Sequence, residues 1–272
     1  MSDFTSPFGT YALKKREAQL LRWAQGMPVS WFGRRAALLL RKTVLSSGHA
    51  TVDAAVDGLK MRLYMKDNVS ERKFLFMPQF FDSYERNLLK KELQQGGVFV
   101  DIGANAGIYT LAAAACVGAS GHVLSIEPNP VVLDRLKFNM SLNGFEHCVQ
   151  VEQSCVSDAE GVVELTLDDT NLGGSSIVAE RSARKISVSA YPLADILAKH
   201  NLSRIDALKI DIEGAEDQAL IPFFASAPKT LFPRLLILEN SSKQWKQDLP
   251  AALQTAGYAL VKETRMNFVY RL

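Results

Sequence analysis

The stretch V-F-V-D-I-G-A-N-A-G, Val98 to Gly107, decides how this chain is read. An apolar run reaches Asp101 and passes at once into a tight turn between Gly103 and Gly107. A helical run, Ile108 to Val117, follows, and a second apolar run, His122 to Ile126, ends on Glu127. Strand, glycine turn, helix and acid-terminated second strand make one nucleoside-binding half of an open α/β sheet. Gly103 tolerates backbone angles that other residues resist and lets a ligand lie against the chain. The N–H groups that open the helix suit an anion such as a carboxylate. The Glu127 carboxylate has the lone pairs to accept hydrogen bonds from both hydroxyls of a ribose.

Dinucleotide enzymes use G-x-G-x-x-G. Here the two glycines stand four residues apart, with Asp101 two residues before the first. That D-x-G-x-x-x-G form resembles the S-adenosylmethionine loop of class I methyltransferases.

The 272 residues suffice for one large α/β domain with a smaller appendage. An apolar share of 47% provides for a substantial core. A net charge of +2 argues against a dedicated nucleic-acid binder. Cys116, Cys148 and Cys155 lack metal-ligand spacing and read as buried thiols in a reducing, cytoplasmic setting. No signal peptide and no membrane-length apolar run is visible.

The chain divides into an accessory, acceptor-side segment, 1–83, and a cofactor-binding domain, 84–272. Tyr11 to Ser47 reads as two helices broken around Gly26-Met27-Pro28. The second is basic and amphipathic, which makes 30–47 a candidate for peripheral contact with a membrane or an acidic partner. A solvated basic face on a packed helix is the preferred reading. Asp57-Gly58 between Thr51–Val56 and Lys60–Lys66 predicts a hairpin. Phe74 to Phe81 is aromatic-rich, and Tyr84 to Gln94 reads as a helix.

Beyond Gly97 the strands fall at Val98–Ile102, His122–Ile126, Val149–Val156, Ile205–Asp211 and Leu235–Glu239. Helices are expected at Pro130–Asn143, Pro192–His200, Gly214–Phe224 and Lys243–Ala256. Gly161–Leu167 and Lys185–Ala190 read as extra strands around a polar loop, Asp168 to Ser176. Tyr258–Lys262 and Phe268–Arg271 form a C-terminal antiparallel hairpin. The expected fold is thus a mostly parallel, Rossmann-like sheet of the class I methyltransferase type. Ligands lie beyond the carboxyl edge of such sheets. The strand ends there carry Asp101, Glu127, Ser157-Asp158, Asp211 and Glu239-Asn240. They predict a polar-lined cavity, with Asp158 or the backbone around Cys155 and Val156 meeting an adenine, and Asp101 and Asn105 at the amino-acid end of the ligand.

In A-L-K-I-D-I-E-G-A-E, Ala207 to Glu216, strand alternation puts Lys209 and Asp211 on one face. Lys209 in an apolar strand is costly to bury unpaired, and Asp211 or Glu213 would relieve that cost. Part of the acidity needs only a helix-capping role.

D-I-G-A-N-A-G, I-E-P-N-P and K-I-D-I-E-G-A-E, in this order, resemble the FkbM family of S-adenosylmethionine-dependent methyltransferases, over about Tyr84 to Leu272. Tyr191–Asp195 departs from the family's usual T-L-D-like segment. The resemblance implies O-methyl transfer to a sugar, glycan or polyketide-like hydroxyl, with a small-molecule or glycan acceptor and no nucleic acid. It implies S-adenosylmethionine held by Asp101, Gly103, Asn105, Gly107, Glu127, Asn129, Ser157, Asp158 and Asp211. Candidates for the base that takes the hydroxyl proton are Asp211, Glu213 and Glu239.

Two other classes compete, an N-methyltransferase of protein or nucleic acid and a non-catalytic S-adenosylmethionine-binding module. Amino-methyltransferases often carry N/D-P-P-Y/F after the fourth strand, whereas this chain reads Asp211-Ile212-Glu213-Gly214. Asp211 with Glu239-Asn240 also resembles the Mg²⁺ site of catechol-type O-methyltransferases. Direct hydrogen bonding of these groups to a sugar is preferred to the metal. No motif encodes the acceptor or the oligomeric state.

Overall fold

Two helices, α1 (Lys15–Gln25) and α2 (Trp31–Leu45), open the chain in the computed structural model, which describes residues 2–168, 171–174 and 184–272. A hairpin of β1 (Thr51–Val56) and β2 (Leu59–Tyr64) follows, then α3 (Val69–Phe76), a 3₁₀ turn and α4 (Ser83–Glu92). The first core unit is β3 (Val98–Ile102), α5 (Ile108–Val117), β4 (His122–Ile126), α6 (Pro130–Ser141) and β5 (Val149–Glu152). After it come β6 (Cys155–Ser157), β7 (Gly161–Leu167), β8 (Arg184–Pro192) and α7 (Leu193–Lys199). The second unit is β9 (Ala207–Ile210), α8 (Glu216–Ser226), β10 (Leu235–Glu239) and α9 (Leu249–Ala256). The hairpin of β11 (Ala259–Glu263) and β12 (Asn267–Arg271) ends the chain.

Seven strands form the central sheet in the order β11-β12-β10-β9-β3-β4-β5. All neighbours from β10 to β5 pair in parallel, and β12 alone runs against them. This is the class I methyltransferase arrangement expected from the sequence. Strand order reverses between β3 and β9, so a crevice opens beyond their carboxyl ends. Both sheet faces are covered. Val100, Ile102, Leu208 and Leu236 pack toward α7, α8 and α9, and Phe99, Val123 and Ile237 pack with Leu89, Ala113 and Val117. Strands buried on both faces call for near-continuous apolar runs, which β3, β4 and β10 have apart from the buried Asp101 and Ser125 and the strand-end His122 and Glu239.

Two expectations are corrected. The third strand does not run from Val149 to Val156. It stops at Glu152, and Cys155–Ser157 instead pairs with β8 in a separate three-stranded sheet with β7. The β7–β8 hairpin offers a free edge that draws the chain out of the main sheet. No helix starts at Lys243, because the Asp217 carboxylate accepts the N–H groups of Lys246 and Gln247 in a turn. α9 then starts behind the Asp248 cap, with Pro250 in its first turn. Residues 69–76 add a helix for which the sequence carried no expectation, capped by Asn68 Oδ1, which accepts the Glu71 N–H at 3.0 Å. In the polar loop, residues 169, 170, 175 and 176 lie outside the described residues, and 172–174 form a 3₁₀ turn.

The N-terminal elements are welded to the sheet domain. Met61, Leu63, Phe74 and Leu75 share one cluster with Ile108, Leu111 and Ala112 of α5. The predicted Asp57-Gly58 turn has both residues at positive φ, as a tight two-residue hairpin requires. Arg62 is fully buried. It donates to both Asp53 carboxylate oxygens, at 2.7 and 3.0 Å, and to the carbonyls of Asp3 and Pro7. Its guanidinium lies 4.8 Å from the Tyr11 ring centroid and 4.6 Å from that of Phe138. Arg135 of α6 similarly holds Asp67 and Glu71.

Arg62→Ala would leave the Asp53 carboxylate buried without its cation. The expected loss is about 3–5 kcal/mol, read from urea unfolding. A loss under about 1 kcal/mol would mean that the pair contributes no more than an exposed one.

Candidate active site

The crevice above β3 and β9 deepens into a cavity of about 710 Å³. Its inner wall is the Gly103–Asn105 loop, Glu127, Ser154–Val156, Lys209, Asp211, Glu213 and Glu239. Its outer wall comes from α2 and α3, from Met77 to Asp82, from Asn171–Gly173 and from Arg265–Asn267. None of the four histidines lines it.

The glycine loop takes its shape from two contacts. Gly103 has φ +72°, and a Cβ there would stand 1.9 Å from the Asp211 carbonyl oxygen, so no other residue fits. Asn105, also left-handed at φ +52°, donates its N–H to Glu127 Oε2 at 2.9 Å. The Glu127 Oε1 accepts the Asn129 N–H at 2.9 Å. Each oxygen keeps further acceptor capacity, and Glu127 forms part of the cavity wall. Burial pushes the Glu127 carboxyl up to about 7, against the pull of those two N–H donors.

Several predicted residues stand behind the wall rather than in it. Asp101 is fully buried, accepts from Thr110 Oγ1 at 2.6 Å and lies 3.9 Å from Lys209 Nζ. Its other oxygen has no hydrogen bond among the described residues. Gly107 starts α5 at φ +91° against Leu136. Asn129 caps α6 and donates to the Leu172 carbonyl, fastening the 172–174 turn over the site. Ser157 and Asp158 are carried away from the cavity because β6 leaves the main sheet, and Asp158 is exposed. Ser154, Cys155 and Val156 take their place in the wall.

The floor is an acidic cluster around one lysine. Lys209 Nζ lies 3.2 Å from Asp211 Oδ2 and donates to the Gly103 carbonyl at 3.1 Å. Lys209 and Asp211 emerge on one face, as strand alternation requires. The charges of Asp211 and Asp101 outweigh burial and hold the ammonium above its usual range. Oxygens of Asp211, Glu213 and Glu239 all lie within 4.8 Å of one another. Burial, reinforced by Asp211 and Glu213, drives Glu239 well above the carboxylate range, and Ser241 Oγ donates to it at 2.8 Å. Burial first, then the charges of Asp211 and Glu216, raises Glu213 to about 7. The Glu213 carboxylate makes no hydrogen bond or ion pair among the described residues. Glu216, by contrast, accepts the N–H groups of Ile212 and Gly214 and the Trp245 indole N–H, so its work is structural.

Five non-glycine residues have positive φ among the described residues, and three of them, Asp82, Asn105 and Glu213, line this cavity. Such backbone is held only where the surroundings impose it, and it concentrates at functional sites. Asp82 was not among the residues picked out from the sequence. Burial and the neighbouring Glu85 raise it to about 6, and Tyr109 donates to it at 3.3 Å. An aspartate directly before a helix, where αL is tolerated, was the available signal.

Residues 101–260 match the FkbM methyltransferase domain. Methyltransferase sdnD of Sordaria araneosa is 30% identical over 151 residues, 44% of this chain and 58% of that protein. The 31-O-demethyl-FK506 methyltransferase FkbM of Streptomyces tacrolimicus is 29% identical over 187 residues, 56% of this chain and 69% of that protein. An S-adenosylmethionine-dependent O-methyltransferase structure from Thermotoga maritima aligns at TM-score 0.41 and 13% identity, over 69% of this chain and 62% of that one. The domain match takes in more than half of the 272 residues and contains the glycine loop, Glu127 and the acidic floor, so the chain belongs to the FkbM methyltransferase family.

Proposed function

We propose that this protein is an S-adenosylmethionine-dependent O-methyltransferase acting on a hydroxyl of a small natural product or saccharide. The observation that carries this reading is the Glu127 carboxylate, buried in the cavity wall and fixed by the N–H groups of Asn105 and Asn129. A diol is the group that such a carboxylate suits, and the glycine loop beside it has room for backbone to approach a ligand. Glu127 would hold the ribose, the Gly103–Asn105 main chain the amino-acid end, and the Ser154–Val156 wall the base. When bound, S-adenosylmethionine supplies a methyl group already activated as a sulfonium.

The protein's own task is then alignment and the handling of one proton. Glu213 is the base we assign to the acceptor hydroxyl. It faces the cavity, has no competing partner among the described residues and titrates at about 7. Asp211 is engaged by Lys209, and Glu239 retains its proton at neutral pH. The oxygens of Asp211, Glu213 and Glu239 are hard donors that suit Mg²⁺. Lys209 already supplies a cation 3.2 Å from Asp211, and for that reason we assign the floor to direct proton transfer without metal. The name of the Streptomyces relative, a methyltransferase of 31-O-demethyl-FK506, supports an alcohol oxygen as the methylated atom.

Calorimetry with S-adenosylhomocysteine tests the cofactor assignment. Glu127→Ala is expected to weaken binding more than about tenfold, since two hydrogen bonds are lost. Protonated Glu127 is a poorer acceptor, so wild-type affinity should fall as pH drops through about 7. Glu127→Gln should abolish that slope. An unchanged dissociation constant in Glu127→Ala removes the ribose assignment.

Transfer of labelled methyl to a panel of sugars and polyketide alcohols tests the base. Glu213→Gln should lower kcat by roughly 10²–10⁴ while leaving S-adenosylhomocysteine affinity unchanged. The wild-type rate should rise with pH through about 7, because the ionised carboxylate is the active form. Activity should survive strong chelation. Loss of activity with chelator, restored by Mg²⁺, would reassign the acidic floor to a metal.

A further inference from the structure

Charge is unevenly distributed along this chain. Residues 18–52 contain Arg22, Arg34, Arg35, Arg41 and Lys42 and no aspartate or glutamate, whereas the whole chain is only +2. The rest of the molecule is therefore net negative. The cations concentrate on α2, which divides lengthwise into three stripes. Gly33, Ala37 and Val44 are buried against the body. Arg34, Leu38 and Arg41 line the mouth of the cavity. Trp31, Arg35, Leu39 and Lys42, at helical spacing, form the third stripe and face solvent, with Phe32 beside them.

That outer stripe is unusual for a water-facing surface. Val29, Trp31, Phe32 and Leu39 are 72%, 64%, 78% and 68% exposed within eleven consecutive residues. Isolated exposed apolar side chains need no explanation, but a cluster of large ones does. The Trp31 and Phe32 rings pack edge to face at 4.8 Å, and the Arg35 guanidinium lies 5.0 Å from the Trp31 centroid. Arg34, Arg35, Arg41 and Lys42 have no ion pair among the described residues. Arg72 stands near Arg41 and, after burial, helps lower it. A second copy of the chain would bring the same cations against themselves. An anionic bilayer matches the whole stripe, since aromatic rings sit at the headgroup level and cations meet the lipid phosphates.

We propose that α2 docks the protein on anionic membranes and turns the cavity mouth toward the lipid headgroups. The mouth stripe borders the outer stripe on the same helix, so seating one brings the other to the surface. Joined to the methyltransferase reading above, on which this last step rests, the acceptor class is a hydroxyl-bearing amphiphile held in that surface.

Sedimentation of the full chain with vesicles tests the docking. Binding is expected to vesicles of phosphatidylcholine with 30% phosphatidylglycerol, to weaken with salt, and to be slight on phosphatidylcholine alone. Trp31→Ala with Phe32→Ala, and separately Arg35→Gln with Lys42→Gln, should each lower partitioning at least tenfold. Unchanged S-adenosylhomocysteine affinity in both variants would show that the fold is intact. A dye on Lys73→Cys, at the cavity mouth, should be quenched by headgroup-labelled nitroxide lipid. Absence of vesicle binding, or self-association abolished by the same substitutions, overturns the docking. Vesicle binding without quenching overturns the orientation. Failure to bind S-adenosylhomocysteine in solution would sink the methyltransferase reading and leave the docking standing.

Discussion

The Lys209 ammonium is the contact on which the two halves of the sheet and the site between them depend. It sits at the carboxyl end of β9, almost wholly buried, where a lone cation would be expelled or neutralised. Asp101 comes from β3, Asp211 from the end of β9, and the accepted carbonyl belongs to Gly103. A single side chain thus ties together the first strand, the glycine loop and the acidic floor. It works because Gly103 lacks a Cβ, which allows the loop to close onto the Asp211 carbonyl. Removing one partner of such a buried set usually costs about 3–5 kcal/mol, since the remaining charges lose their compensation. Lys209 therefore stabilises the fold at the place where the chemistry is assigned.

Burial and mutual repulsion among the carboxylates set their division of labour. Asp211 lies next to the ammonium, whereas burial first, and then the negative charge of Asp211, pushes Glu239 and Glu213 upward. Glu213 and Glu239, two groups of one chemical type, are thereby raised to different extents, the condition for assigning acid and base roles. The positive φ of Glu213 and the turn permitted by Gly214 aim this carboxylate into the cavity rather than back at the helix start. Glu216, three residues on, takes over the capping of that turn and leaves Glu213 free of it.

Legibility in the sequence followed the range of the forces involved. β3, α5, β4 and β10 were read at their observed bounds, because continuous apolar runs, a helix stop and a glycine turn are all local signals. Asp57-Gly58 was read for the same reason. Asp158 was misplaced because the exit of β6 depends on pairing with β8, whose partner residues stand more than thirty positions away. The helix expected from Lys243 failed on Asp217, a distant carboxylate that captures two N–H groups. α3 was legible in principle, since Asn68 followed three residues later by Glu71 is a cap signal, but its aromatic content masked it. Asp101 and Asn129 were expected to hold the cofactor, yet three-dimensional packing puts both behind the cavity wall.

The family match begins at residue 101, and this boundary has a physical counterpart in the cavity. Within the matched region lie Gly103, Asn105 and Glu127, which we assign to the cofactor, and Glu213, which we assign to the proton. Before it lie Arg34, Leu38, Arg41, Val69, Met77 and Phe80, which build the outer wall. The outer wall is fastened by buried polar contacts. Arg62 and Arg135 clamp the N-terminal segment to α6, and Asn68 Nδ2 donates to Asn105 Oδ1 at 2.7 Å. That last bond couples the outer wall to the glycine loop through a single amide. A change in the N-terminal segment is therefore felt at Asn105, whose strained backbone in turn positions an N–H on Glu127. Under the proposed function, the outer wall and the cofactor site are joined there by two consecutive hydrogen bonds.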